Sequence, residues 1–377
     1  MKISLLSTRI GESEKKFVVN MLNSDVNTWE YNVFAFEDTV SKYVNIPYSV
    51  ALSSKEAAIE MALRCCKVRK GDLVFCPTLA PISVCNTVYR LGAYAAFIDA
   101  EPESWNMSPK ALRKALLDAA KNDCIPKAVI VSHLYGQCAN MSELIEICEY
   151  FGVPIIEDAS DALGSTFRGA YAGTHGDFGV YSFDNNKIVS SNGGGMLVSN
   201  DPYIIDKVRD WATKTNDKTP SFDNKEIRCD YKMPDICGCI GRGQMETIDD
   251  KIEKKTNIFK TYEKEFINIS EIEMMPIRDY GTPNYWLSCA LLTDDSLISP
   301  DKVINKLAEH GIEAKRIWKP LHTQHAFKHC RVYSHFNHHT ETAANDIFNR
   351  AIVLPSNENM TLLQQRIVCE TIKNIVK

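Results

Sequence analysis

Short apolar runs alternate with segments of helical spacing between residues 48 and 160, and this alternation constrains the fold more than any other feature. The run YSVALSS precedes the helix-forming segment KEAAIEMALRCC, and DLVFCP, YAAFIDA, KAVIVSHLYG and VPIIEDAS follow, each separated from the next by a helical segment. The runs are continuously apolar, as in strands that are buried on both faces. The sequence therefore predicts an α/β fold with a mostly parallel sheet between two layers of helices.

The pattern changes in the second half of the chain. GVYSFD and GGMLVSN predict two strands with no helix between them, and helical segments dominate from about Ile204, including one helix over residues 241–266. From about Met274 the segments resemble a smaller α/β lobe. We predict two domains: a large one over residues 1–250, which includes the N-terminal helices, and a small one over residues 251–377.

Composition excludes several classes of function. The chain has 377 residues and a net charge of −5, which argues against a broad nucleic-acid surface. No apolar stretch approaches the roughly 18 residues of a membrane span. The thirteen cysteines show no zinc or redox spacing and predict a reducing cytoplasm. Six of the nine histidines lie within residues 322–339, but their spacing matches no ligand pattern, so we predict no metal.

One lysine stands out within the predicted strands. Lys187 lies between a polar turn and the glycines 193–195; such a lysine is typical of an exposed loop, but it could also form a Schiff base with a cofactor. Asp158 ends a predicted strand, where it could pair with a protonated pyridine nitrogen or cap the following turn. Ser182 could donate to a phosphate. Together these residues form a candidate pyridoxal phosphate site.

Longer blocks carry a more specific resemblance over nearly the whole chain. IEDASDALGSTFRG, GDFGVYSFDNNKIVSSNGGGMLVSND, YKMPDICGCIGRGQME and RIWKPLHTQHAF resemble the sugar-nucleotide aminotransferases of the DegT/StrS type, which are fold-type I pyridoxal phosphate enzymes. The last block, with NYWLS and LPS, is most similar to the subgroup that aminates C4 of UDP-linked 2-acetamido-2,6-dideoxy-4-keto sugars. The resemblance implies a seven-stranded, mostly parallel sheet and a homodimer with shared active sites. It also implies glutamate as the amino donor and a role in surface polysaccharide or glycan biosynthesis.

The resemblance also assigns roles to residues. Lys187 matches the Schiff-base lysine, Asp158 the partner of the pyridine nitrogen and Ser182 a phosphate ligand. The other cofactor-binding positions fall on Ser54, Lys55, Glu56, Leu79 and Asp230. The substrate-binding positions fall on Trp29, Trp318, Lys319 and His322, although packing in the core of the small lobe would explain the last three as well.

Five of these positions depart from the family pattern; one is Trp29, in a segment that reads Thr28, Trp29, Glu30 where the family has a Pro-Leu-Gly turn. Lys55 and Glu56 replace a small residue and a Thr or Ser that hold the phosphate, Leu79 replaces an aromatic ring, and Asp230 replaces an asparagine. A carboxylate about 4 Å from one phosphate charge costs roughly 4 kcal/mol at an effective dielectric constant of about 20. Two hypotheses therefore stay open: an aminotransferase, or a homologue that binds a nucleotide-sugar or a partner without transaminating.

Overall fold

The computed structural model describes residues 2–25, 30–213, 228–337 and 341–376. Its strands are β1 (Tyr48–Leu52), β2 (Leu73–Pro77), β3 (Tyr94–Ile98), β4 (Ala128–Ser132), β5 (Ile155–Asp158), β6 (Thr166–Phe167), β7 (Ala170–Tyr171), β8 (Phe178–Ser182), β9 (Gly195–Ser199), β10 (Ile272–Met274), β11 (Gly281–Thr282), β12 (Ser288–Leu292), β13 (Lys315–Arg316), β14 (Val332–Tyr333) and β15 (Ala351–Leu354). Its helices are α1 (Glu12–Leu22), α2 (Glu30–Val44), α3 (Lys55–Cys65), α4 (Ser83–Arg90), α5 (Pro109–Lys121), α6 (Met141–Phe151), α7 (Pro202–Trp211), α8 (Asp235–Met245), α9 (Ile248–Phe266), α10 (Pro300–Glu309), α11 (Ala343–Arg350) and α12 (Leu362–Val376).

The main sheet has the strand order β1-β9-β8-β5-β4-β2-β3-β14. Pairing is parallel from β8 to β14, whereas β9 runs antiparallel to both of its neighbours. Seven of these strands come from the first 200 residues, as the sequence predicts, and β14 adds a two-residue edge strand from the C-terminal part of the chain. The sheet is mostly parallel because helices connect β1 to β2, β2 to β3, β3 to β4 and β4 to β5.

Apart from the half-buried edge strand β14 and the first residues of β1, β2 and β3, the strands of this sheet are buried on both faces. On one face the side chains of Phe75 and Val129 pack with α2, α5 and α6, and on the other Val74 and Ile130 pack with α3, α4 and α7. This is why the runs are continuously apolar instead of alternating between apolar and polar residues. The carboxyl ends of the parallel strands all lie at one edge, where ligands of open α/β sheets bind.

A second sheet, in the order β10-β12-β15-β13, forms the small lobe with α9, α10 and α12. Ile3 packs into this lobe and bridges to Ile312, and β14 crosses back to the main sheet. The division at residues 250 and 251 stays a prediction.

The helix predicted over residues 241–266 is two helices, so that prediction is wrong. α8 ends at Met245 and α9 begins at Ile248. Asp249 and Asp250 lie in the first turn of α9, where carboxylates are favourable beside the positive end of a helix. Met245 and Ile248, on either side of this break, pack into the core of the main sheet, whereas the later α9 residues Ile258 and Tyr262 pack into the small lobe.

Within the part of the chain that the structure describes, no helix has the length and apolar character needed to cross a membrane. All thirteen cysteines are free thiols. The described residues also contain no group of three His, Cys, Asp or Glu side chains that could hold a metal ion; His338 and His339 lie outside them.

Candidate active site

Asp158 lies at the carboxyl end of β5, in the middle of the main sheet, and is 3% exposed. Its Oδ2 accepts hydrogen bonds from Lys55 Nζ at 3.2 Å and Ser132 Oγ at 3.3 Å. Its Oδ1 accepts from the backbone N–H of Ser160 at 3.3 Å and from the Ser160 hydroxyl. Burial opposes the charged form, but Lys55 and Ser160 together hold the pKa of Asp158 below its usual range. Both carboxylate oxygens therefore have partners, and the bond to the Ser160 N–H also matches the predicted capping of the turn.

Lys55 is the first residue of α3, and its side chain reaches Asp158 from the start of that helix. The helix begins after Ser54, whose side chain accepts a hydrogen bond from the Ala57 N–H at 3.1 Å. Lys55 is only 5% exposed. Burial disfavours its ammonium, but the charges of Asp158 and Asp161 outweigh this and raise the pKa of Lys55.

Lys187 lies between β8 and β9, and its side chain is 9% exposed. Its Nζ is 2.5 Å from Asp161 Oδ1 and 4.2 Å from the centroid of the Trp286 ring. The interpretation of Lys187 as an exposed loop lysine is therefore wrong. The Trp286 indole N–H donates to the Asn186 carbonyl at 2.7 Å, so the exposed residues 184–186 are held next to Trp286 while the Lys187 side chain points inward.

Asp161 is not among the site residues predicted from the sequence. It is the third residue after Asp158 in the turn EDASD, and this spacing was the available signal. Burial raises the pKa of Asp161, and the charge of Lys187 offsets that effect only in part. The charge of Lys55 also acts to lower the pKa of Asp161, and the charge of Lys187 acts to lower the pKa of Asp158. The structure thus brings two buried lysines and two buried aspartates together in a four-residue charge cluster whose formal charge is zero.

The predicted phosphate ligands lie at the start of α3 and the end of β8. Ser182 is buried, and its hydroxyl donates to Asp184 Oδ2 at 3.2 Å. Glu56 lies half-buried in the first turn of α3, where an anion at the helix N-terminus would otherwise be favourable. Their roles toward a phosphate stay predictions.

Asp230 is exposed beside the same end of the main sheet. Its neighbour Tyr231 accepts a hydrogen bond from the Ser53 N–H at 2.8 Å, which places this segment next to the start of α3. Lys232 forms an ion pair with Glu30, and so its charge is already partnered by that residue.

The proposed substrate side lies beyond β2. Leu79 is buried in the same apolar cluster as Trp286, and Trp318 packs against that cluster. The hydroxyl oxygen of Thr78, the residue before Leu79, lies 2.5 Å from His322 Nδ1. Burial lowers the pKa of His322. The structure therefore brings Leu79, Trp318 and His322 to one region.

The remaining substrate-side residues differ in environment. Lys319 is exposed, and Trp29 lies outside the described residues. The Trp318 backbone N–H donates to Tyr135 Oη at 3.0 Å, whereas its indole N–H is buried with no hydrogen-bond partner among the residues that the structure describes.

Residues 8–373 match the model of the DegT/DnrJ/EryC1/StrS aminotransferase family. The chain belongs to this family. It is 40% identical over 343 residues to the putative pyridoxal phosphate-dependent aminotransferase EpsN of Bacillus subtilis, covering 91% of this chain and 87% of that protein. It is also 27% identical to the GDP-perosamine synthase of Vibrio cholerae, covering 99% and 98% of the two chains.

The solved structure of the putative sugar aminotransferase Spr1654 from Streptococcus pneumoniae, in its PMP form, shares the fold. Its TM-score is 0.88 at 22% identity, with 100% of this chain and 98% of that chain covered. The predicted fold-type I architecture is thereby confirmed. DegT/DnrJ/EryC1/StrS aminotransferases are pyridoxal phosphate-dependent sugar aminotransferases, so the predictions of enzyme class and cofactor are confirmed at the level of the family.

The side chains of this family member, as the structure places them, do not fit the cofactor at Asp158. The carboxylate that would pair with the ring nitrogen already accepts hydrogen bonds from Lys55, Ser132 and Ser160. Moreover, the Lys55 side chain extends from the start of α3, the predicted phosphate end, to Asp158, the predicted ring-nitrogen end. On those two predictions, Lys55 and a bound cofactor would compete for the same carboxylate.

Proposed function

We propose that the chain is an aminotransferase that acts on a nucleotide-linked 4-keto-6-deoxy sugar in the cytoplasm, as a homodimer with glutamate as amino donor. The observation that carries this proposal is the buried amine of Lys187, held between Asp161 and Trp286 at the ligand-binding edge of the sheet. The free thiols support a reducing compartment. The pathway that we propose is the synthesis of a surface polysaccharide or glycan.

Asp161 would control the proton on Lys187. An ammonium is not a nucleophile, so the Lys187 amine must lose a proton before it can attack a carbonyl. Asp161 Oδ1 is the acceptor at 2.5 Å, and burial raises the pKa of this carboxyl, which favours its taking up that proton. The Trp286 ring, whose centroid lies 4.2 Å from the same Nζ, restricts the movement of the amine.

The sugar nucleotide would bind on the side of Trp318 and His322. The buried Trp318 indole N–H, unpartnered among the described residues, is a donor for a substrate oxygen. Lys319 is an exposed cation next to it and could face the pyrophosphate. The resemblance favours a UDP-linked sugar, while the name of the Vibrio cholerae relative points to GDP.

A second candidate function is a homologue that binds a nucleotide-sugar without transaminating it. The bond between Lys55 and Asp158 favours this candidate, because it uses the carboxylate that the cofactor would need.

One assay separates the two candidates. The purified chain is incubated with pyridoxal phosphate, glutamate and a UDP- or GDP-linked 4-keto-6-deoxy sugar, and the amino sugar is measured by mass spectrometry. We expect conversion by the wild type and by Lys42→Ala, which alters an exposed ion pair, and none by Lys187→Ala. Binding of the sugar nucleotide by calorimetry without conversion would favour the second candidate.

A further inference from the structure

We infer that Lys55 is a built-in competitor of pyridoxal phosphate: its ammonium takes the place of the ring nitrogen at Asp158, and the cofactor binds only when Lys55 leaves that carboxylate. The inference rests on the proposed function, since it concerns how the same site is loaded. It assigns Lys55 a role opposite to that of a cofactor ligand.

First, both oxygens of the Asp158 carboxylate already have hydrogen-bond donors. Lys55 Nζ lies 3.2 Å from Asp158 Oδ2, and both residues are at least nine-tenths buried. Ser132 occupies the same oxygen and Ser160 the other. A ring nitrogen that approached this carboxylate would have to displace a charged donor.

The second line of support is the balance of charge. The four-residue charge cluster of Lys55, Asp158, Asp161 and Lys187 has two positive and two negative charges within the protein itself. Buried charges are tolerated when they are paired, so the cluster needs no bound group to balance it. If the ring nitrogen bonded Asp158, the Lys55 ammonium would lose its hydrogen-bond partner and keep only the nearby charge of Asp161.

The third line of support is the fixed position of the Lys55 backbone. Gly195 in β9 packs so closely against the start of α3 that a Cβ at this glycine would lie 2.5 Å from the Ser54 carbonyl oxygen and 2.7 Å from the Lys55 nitrogen. The helix start cannot move toward β9 to make room. The Lys55 ammonium therefore has to leave Asp158 by rotation of the Lys55 side chain. The backbone of this residue lies at the start of α3, where the phosphate is predicted to bind.

The test is titration of pyridoxal phosphate into the full-length protein, followed by calorimetry and by the visible absorbance of the bound cofactor. Wild type is compared with Lys55→Gly, which restores a small residue, and with Lys55→Gln, a shorter and neutral side chain that keeps a hydrogen-bond donor in order to protect the fold. We expect both variants to bind at least ten-fold more tightly than wild type. Lys187→Ala in the Lys55→Gly background should lose the visible band, which locates the binding at this site.

The other outcomes are also decisive. Affinities within two-fold of each other would overturn the inference and leave the proposed aminotransferase intact. Weaker binding by the variants would also overturn it, because Lys55 would then be a cofactor ligand. No binding by any of the folded proteins would show that Lys55 is not the obstacle, and would remove the aminotransferase proposal in favour of the binding homologue.

Discussion

Lys187 and Asp161 form a buried ion pair, with Nζ 2.5 Å from Oδ1 and both side chains less than one-tenth exposed. This arrangement connects the residue that would perform the chemistry to the stability of the fold. An exposed lysine in a loop could be replaced with little effect on stability. A buried lysine with a carboxylate partner cannot, because its removal leaves an uncompensated charge in a low-dielectric environment.

We expect Lys187→Ala to abolish transamination and to lower the free energy of unfolding by about 3 kcal/mol, since breaking a buried pair leaves Asp161 without its partner. Urea denaturation and the amination assay measure the two effects. Lys42→Ala, at an exposed pair with Asp38, should cost less than about 0.5 kcal/mol. Lys187→Met combined with Asp161→Asn should recover stability without activity; retained turnover in either Lys187 variant would exclude the proposed role of the amine.

Lys55 and Asp158 should show strong energetic coupling. We expect Lys55→Met and Asp158→Asn each to destabilise the fold by about 3–5 kcal/mol, because each leaves the other residue unpaired in the core. The double variant should lose less than the sum, with a coupling energy of roughly 2 kcal/mol or more. Denaturant titration of the four proteins completes the cycle, and strictly additive losses would mean that the ion pair contributes no stability of its own.

The charge of Glu56 should oppose phosphate binding more than that of Asp230. Glu56 lies in the first turn of α3, whereas Asp230 is exposed. A charge about 8 Å from a phosphate charge costs roughly 2 kcal/mol at an effective dielectric constant of about 20, and salt reduces this. In the Lys55→Gly background we expect Glu56→Thr to tighten pyridoxal phosphate binding roughly ten-fold and Asp230→Asn to change it less; the reverse order would place Asp230 closer to the phosphate.

Lys255 should make the free energy of unfolding depend on pH in the alkaline range. Its Nζ donates to the carbonyls of Trp286 and Ser356 at 3.1 and 2.9 Å, and burial lowers the pKa of Lys255 from 10.5 to about 8. Between these values the unfolded chain binds more protons than the folded one, so stability should rise with pH there and be lower below about pH 8. Relative to Lys255→Met, we expect wild type to gain up to about 2 kcal/mol between about pH 8 and pH 10. A difference in unfolding free energy that does not change with pH would contradict this.

We also expect a homodimer, because the segment around Asp230 lies exposed beside the start of α3, where related blocks reach a partner's site. α2 and α8 pack against each other next to this segment and expose Phe34 and Ile236. Light scattering should give twice the 42.5 kDa of one chain. Ile236→Glu should shift the mass toward that of a monomer, whereas Tyr150→Glu, at an exposed residue on α6, should not. A wild-type monomer would contradict the prediction.

The sequence by itself determined the main sheet and most of its helices. Runs such as residues 50–52 and 128–131 are continuously apolar because both of their faces are buried, and this property is visible in consecutive residues. Helix ends were also predictable from single residues: Gly152 ends α6 and Ser108 caps the start of α5. The position of Asp158 at the end of a strand, and that of Lys187 between two strands, followed from the same local pattern.

The tertiary structure alone decided which charge pairs with which. Lys55 and Asp158 are 103 residues apart, and Lys187 and Asp161 are 26 apart. No local periodicity relates such pairs, because their distance depends on how α3 packs on the sheet and how the turn before β9 folds against Trp286. The sequence marked Lys55 as a departure from its family. Only the packing, which turns this side chain along the sheet edge to the carboxylate of Asp158, gave it a physical consequence.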